Sequence, residues 1–117
     1  MSPTEPLLLF VYGTLMRRQR NHRYLEGARF LGPVRTAADY TLVLLGSFPA
    51  LREDGSSSVS GELYSVGASI LAALDQLEGH PDFYRRGSVQ LDDGRTVISY
   101  LLPGNQHTEA GQIACWP

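Results

Sequence analysis

Three groups of residues have the types and spacing to do chemistry. The first is Tyr12-Gly13-Thr14-Leu15, at the end of the apolar run from Leu7 to Tyr12. Glycine lets a backbone approach a ligand closely and adopt angles other residues avoid. Successive amide N–H groups in such a turn can point at one anionic oxygen, and the end of a buried strand is a common ligand position. On its own, the tetrapeptide also reads as a plain strand-ending turn. The second is Glu78, one residue after Leu77 and four after Leu74. It borders an apolar stripe at the negative end of a predicted helix, where burial and the helix dipole both raise a carboxyl pKa. A carboxylate lifted toward neutrality can shuttle protons; the plainer reading is a solvated surface glutamate. The third is Phe83-Tyr84-Arg85-Arg86. Tyr84 could donate to a substrate oxygen and Arg86 could bind a carboxylate. The alternative is a strand entrance with an inward aromatic and two solvated arginines.

Other candidates fail on spacing. His22, His80 and His107 are scattered, with no pair at metal-ligand spacing, so no metal site is expected. No serine lies in a nucleophile elbow, and Cys115 reads as an incidental thiol. Arg17, Arg18, Arg20 and Arg23 read as a solvated basic face, with an anionic partner as the alternative. Glu62 and Asp75 are rival carboxylates. Glu62 shares a predicted strand face with Tyr64 and reads as a structural partner, and Asp75 falls off the helical stripe.

Composition narrows the classes. At 117 residues the chain holds one domain, expected over 1–117. All ten basic residues are arginines, which removes lysine Schiff-base chemistry and the phosphate-binding lysine of a P-loop. A formal net charge of -2 argues against nucleic-acid binding through bulk charge. The run Leu7 to Tyr12 is too short to span a bilayer, so no membrane association is expected. The first six residues lack a positive n-region and are not expected to be a secretory signal. With a single cysteine as well, the expected location is the cytoplasm.

The elements that must position these residues follow from periodicity. The run Leu7 to Tyr12 predicts a buried central strand. Arg17 to Glu26 predicts a short helix capped by Asn21. Phe30 to Leu45 is strand-like with a break at Gly32-Pro33, and Gly46-Ser47-Phe48-Pro49 reads as a loop. Glu53 to Ser58 reads as a polar turn, and Val59 to Val66 as a strand with Val59, Gly61 and Leu63 on one face. Ile70, Leu71, Leu74 and Leu77 form a helical stripe, with Ser69 as N-cap and Gly79 as a left-handed stop. Asp92-Asp93-Gly94 joins two strands, Arg86 to Leu91 and Arg95 to Leu102, into a hairpin. The tail from Pro103 reads as loop, with Trp116 packed on the body or poorly ordered. This order lacks regular βαβ alternation. The predicted class is α+β, a small mixed, strongly curved β-barrel flanked by one or two helices.

In this order the pieces resemble the gamma-glutamylcyclotransferase-like family, which includes gamma-glutamylamine cyclotransferases and AIG2-like proteins. The matching residues are Phe10-Val11-Tyr12-Gly13-Thr14-Leu15, Gly61-Glu62-Leu63-Tyr64-Ser65-Val66, Leu74-Asp75-Gln76-Leu77-Glu78-Gly79, and the Tyr-x-Arg of Tyr84 and Arg86. Gly46-Ser47-Phe48-Pro49-Ala50-Leu51 also resembles the family's loop before the middle strand. The likeness runs from about Leu8 to Leu102; each motif is weak alone, and the ordered set is fairly specific. It implies a reaction: the α-amine of a γ-glutamyl group attacks its own γ-carbonyl, releasing 5-oxoproline and a free amine or amino acid, with no cofactor or metal. It further implies Glu78 as general acid/base, and Tyr12, Gly13, Thr14, Leu15, Tyr84 and Arg86 as substrate-binding residues. The expected partner is a small γ-glutamyl substrate, on a monomer or homodimer. The alternative is a non-catalytic member of the superfamily that binds a small metabolite.

Overall fold

A computed structural model describes residues 7–45, 48–80, 83–102 and 111–113. The strand β1 (Leu7–Val11) is central. It pairs antiparallel with β5 (Ser60–Val66) on one side and parallel with β7 (Thr96–Leu101) on the other. From Leu9 to Val11 its apolar run is buried on both faces, while Leu7 at its start is exposed. Leu9 and Val11 enter one apolar cluster with Tyr64, Val66, Leu71 and Leu74. Phe10 and the following Tyr12 enter a second with Leu42, Leu51, Leu63 and Val97.

Outward from β5 lies β2 (Arg29–Arg35), which passes through Gly32-Pro33 with a register shift between Phe30 and Gly32. Gly32 takes φ 131° there, a value glycine accommodates without steric cost, so the expected break is a bulge inside one strand. Beyond β7 lie β4 (Phe48–Ser57), β3 (Tyr40–Leu45) and β8 (Gly111–Ile113), and β6 (Arg85–Gln90) pairs with β7 off this path. The Asp92-Asp93-Gly94 hairpin forms as expected between β6 and β7, with Gly94 at φ 93°.

Several expectations change. Phe48-Pro49, read as loop, opens β4. The polar stretch from Glu53 continues β4 instead of turning; the partners jump from Thr41↔Arg52 to Tyr40↔Ser57, so the exposed residues between them bulge out of the ladder. Residues 111–113 of the tail are a strand on β3, held by backbone pairing that needs no apolar periodicity. The rest of that tail, with Cys115 and Trp116, lies outside the described residues, as do Gly46-Ser47 and His107. The strand path is open, ending at β2 and β8; a single bridge, Thr36↔Leu91, links the ends of β2 and β6. The architecture is a mixed, curved α+β sheet, and closure into a barrel is not established.

The helix α1 (Ala68–Glu78) lays Leu71 and Leu74 into the first cluster, with Ile70 and Leu77 at its margin. It begins at Gly67, not Ser69: Gly67 is extended and its carbonyl accepts from the Leu71 N–H. Gly79 ends it as expected at φ 70°. The Gly79 N–H bonds the Gln76 carbonyl and the His80 N–H bonds that of Asp75, a Schellman closure. Between β1 and β2, Arg17 to Glu26 makes turns and a 3₁₀ helix, His22–Leu25, without a side-chain cap from Asn21.

Candidate active site

The strand β7 carries more partners than it has edges. β6 occupies one edge along the full length of β7, so β1 and β4 must share the other, meeting it at Ile98 and Leu101 respectively. Between those two points lie Ser99 and Tyr100, and both face a cavity of about 220 Å³. Strands that part from a common neighbour leave a crevice at their ends. The cavity is walled there by the Tyr12–Leu15 segment after β1, by Pro49 of β4 and by the end of α1 with Phe83 and Tyr84.

Hydroxyl groups knit this parting. Tyr12 Oη donates to the Tyr100 carbonyl at 2.7 Å and accepts from the Leu51 N–H at 3.3 Å, tying β1, β7 and β4 together. Ser99 Oγ donates to the Phe10 carbonyl at 2.8 Å. Tyr84 Oη donates to the Pro49 carbonyl at 2.7 Å. Burial raises the pKa of both Tyr12 and Tyr84 well above the ordinary phenol value, and the Glu78 charge adds to it. Both phenols therefore stay neutral near pH 7, with their protons directed at backbone carbonyls. Tyr84 thus lines the cavity with its proton directed at the Pro49 carbonyl instead of at a substrate oxygen.

The segment after β1 is held from behind. The Met16 N–H bonds the Gly13 carbonyl at 3.0 Å. Asn21 pins Thr14 twice, through its N–H to the Thr14 carbonyl at 2.9 Å and its Nδ2 to Thr14 Oγ1 at 3.0 Å. His22 Nδ1 lies 3.0 Å from the Leu15 carbonyl. Glu62 accepts the Arg17 N–H at 3.0 Å and Arg17 Nε at 3.3 Å, while Tyr64 Oη donates to the same carboxylate at 3.0 Å. Arg17 also lies 4.0 Å over the Phe30 ring. With the carbonyls turned toward these partners, no acceptor is found among the described residues for the N–H groups of Gly13, Thr14 and Leu15.

Gly13 is required for close approach. A Cβ there would stand 2.6 Å from Pro49 Cγ, and its φ is not positive. Opposite, Glu78 ends α1. The Gly79 stop and the bonds from the Phe83 N–H to the Gly79 carbonyl and the Tyr84 N–H to the Glu78 carbonyl fold the chain back beside it. Among the described residues no hydrogen bond or ion pair to the Glu78 carboxylate is found. Burial pushes its pKa from 4.5 up to about 7, and the helix C-terminus acts in the same direction.

Six of the seven candidate residues thus line one cavity: Tyr12, Gly13, Thr14, Leu15, Glu78 and Tyr84. Arg86 is not brought to it. Its guanidinium lies 3.1 Å from Asp75 Oδ2, and its N–H bonds His80 Nδ1 at 3.0 Å. Asp75 also accepts from Tyr100 Oη at 2.6 Å. Arg86 and Asp75 therefore fasten α1 to β6 and β7. The cavity also uses residues that the sequence did not single out for it: Ser99, Tyr100, Asn21 and Arg20. The turn sequence that follows Leu15 is the signal for the last two; Ser99 and Tyr100 have no signal beyond strand alternation. Among the described lining residues Glu78 is the only acid and Arg20 the only base.

Comparison with known proteins bears on the family and the fold. Residues 9–116 match the family model described as gamma-glutamyl cyclotransferase, AIG2-like. A Vibrio cholerae relative is 45% identical over 91 residues, covering 78% of each chain. Gamma-glutamylaminecyclotransferase B of Danio rerio is 39% identical over 111 residues, covering 87% of this chain and 54% of its own length. The crystal structure of an AIG2-like protein from Mus musculus superposes with a TM-score of 0.79 at 25% identity, covering 97% of this chain and 89% of that one. With the match running through β1, α1 and the β6–β7 hairpin, the chain belongs to the gamma-glutamyl cyclotransferase, AIG2-like family.

Proposed function

We infer that this protein is a γ-glutamyl cyclotransferase, with Glu78 as its general acid/base and the Tyr12–Leu15 segment as its oxygen-binding element. The observation that carries the reading is that Glu78, half-buried and with no hydrogen bond or ion pair found among the described residues, lines the same cavity as Gly13, Thr14 and Leu15, whose N–H groups have no acceptor among the described residues. The family membership and the name of the zebrafish relative support it.

The chemistry follows from the groups present. The α-amine of the γ-glutamyl unit attacks its own γ-carbonyl carbon, forming the new C–N bond. Glu78 as carboxylate takes a proton from the attacking nitrogen. As the tetrahedral intermediate collapses, the bond to the leaving nitrogen breaks and Glu78 returns the proton there. A pKa near the working pH lets one group do both steps. The N–H groups of Gly13, Thr14 and Leu15 supply donors for the developing oxyanion and the α-carboxylate. The cavity lies below the roughly 300–1,000 Å³ of sites for drug-sized ligands. It therefore favours a curled glutamyl chain, and holding that near-attack shape supplies part of the rate.

The test is to incubate the pure protein with a panel of γ-glutamyl amines and γ-glutamyl amino acids and measure 5-oxoproline. Release by the wild type, reduced roughly 10²–10⁴-fold in Glu78→Gln, is the expected result. Binding without turnover across the panel would favour a metabolite-binding module instead.

A further inference from the structure

The basic cluster after the first turn splits in the folded protein. Arg17 turns to Glu62 and Phe30, and Arg23 lies over Tyr24 with Nη1 bonded to the Arg20 carbonyl. Arg20 instead joins the cavity wall. Its position is set by the backbone: Arg18 takes the left-handed φ of 71°, Gln19 bonds back to Met16, and Asn21 is pinned to Thr14. The Arg20 side chain is exposed and pairs with no carboxylate among the described residues.

We propose that Arg20 selects the leaving group, favouring γ-glutamyl compounds whose released amine carries a carboxylate, such as γ-glutamyl amino acids. This rests on the cyclotransferase reading and deepens it. Cyclisation fixes the glutamyl α-amine and γ-carbonyl beside Glu78, the half-buried of the two charged lining residues, and the Tyr12–Leu15 amides are assigned to the γ-carbonyl oxygen and the α-carboxylate. The part of the substrate free to extend toward an exposed wall residue is the group on the far side of the scissile bond. A guanidinium there attracts a carboxylate, bidentately where geometry allows. It repels the second ammonium of a diamine or polyamine leaving group.

Two substrates that differ by one group test this: γ-glutamyl-alanine and γ-glutamyl-ethylamide, which lacks only the carboxylate. In the wild type kcat/KM should favour γ-glutamyl-alanine by roughly three- to tenfold, mainly through KM, and the preference should shrink with added salt. In Arg20→Gln the ratio should fall to about one, and Arg20→Lys should restore part of it. A wild-type ratio near one overturns the proposal. So does a glutamine variant that keeps the preference, or one that loses both substrates equally, which would assign Arg20 to the glutamyl end. If the wild type turns over neither compound, the cyclotransferase reading fails separately. Calorimetric binding of the same pair then decides Arg20: a selective Kd advantage for γ-glutamyl-alanine that Arg20→Gln removes supports it, and equal binding refutes it.

Discussion

The role proposed for Glu78 rests on its environment more than on its identity. An exposed glutamate would be ionised at neutral pH and too weak a base to share a proton with an amine. At the end of α1 burial lifts it to about 7. That has a consequence for stability. Between pH 4.5 and about 7 the folded protein retains a proton that the unfolded chain has lost. Stability therefore falls as pH rises through this window, and above it the folded state carries the full cost of a buried charge, on the order of 3 kcal/mol. Glu78→Gln removes that cost. The variant should be more stable than the wild type at pH 8, by about 1–3 kcal/mol, and the difference should vanish by about pH 4. Urea unfolding at the two pH values measures it. A variant gaining stability while losing activity marks a group held for chemistry.

At the scale of elements, the turn after β1 and the start of β4 depend on each other. Gly13 sits against Pro49, whose carbonyl holds Tyr84. Gly13→Ala would force a Cβ to within 2.6 Å of Pro49 Cγ, and neither the ring nor the strand backbone can yield cheaply. The variant should lose about 1–3 kcal/mol in thermal or urea unfolding and show a raised KM as the amides and Tyr84 move apart. Much of this was legible in the sequence. The continuous run through β1, the stripe Ile70, Leu71, Leu74, Leu77 with its Gly79 stop, and the Asp92-Asp93-Gly94 turn are local signals, set by neighbours in the chain. So were the Tyr12–Leu15 turn and Glu78, whose meeting in one site the family resemblance implied; the parting of strands that makes the cavity between them was not. What stayed hidden is non-local. β8 pairs through its backbone, the bulged extension of β4 is polar, and the place of Arg86 depends on Asp75, eleven residues earlier on a different element. The same holds for Ser99 and Tyr100, which face the cavity because two other strands part beside them.

At the scale of the whole molecule, the candidate site follows from one topological fact. β1 and β4 share an edge of β7, and the gap between their ends is where the sheet cannot satisfy itself with its own strands. Tyr12, Ser99 and Tyr84 close most of that gap with buried hydroxyl bonds, and the remainder is the cavity. α1 packs across the adjoining face and ends there, which brings its last carboxylate into a half-buried position where no ion pair to it is found among the described residues. Arg20, the only base among the described lining residues, is exposed. The central claim is that this one carboxylate moves the proton of an intramolecular cyclisation. Its most direct test is the pH dependence of 5-oxoproline release from a single γ-glutamyl substrate, for the wild type and Glu78→Gln. The account predicts a wild-type kcat/KM that rises through an ionisation near pH 7, and a glutamine variant that is slower by roughly 10²–10⁴-fold and lacks that ionisation. A variant with wild-type rates, or one that keeps the same limb near pH 7, would contradict it.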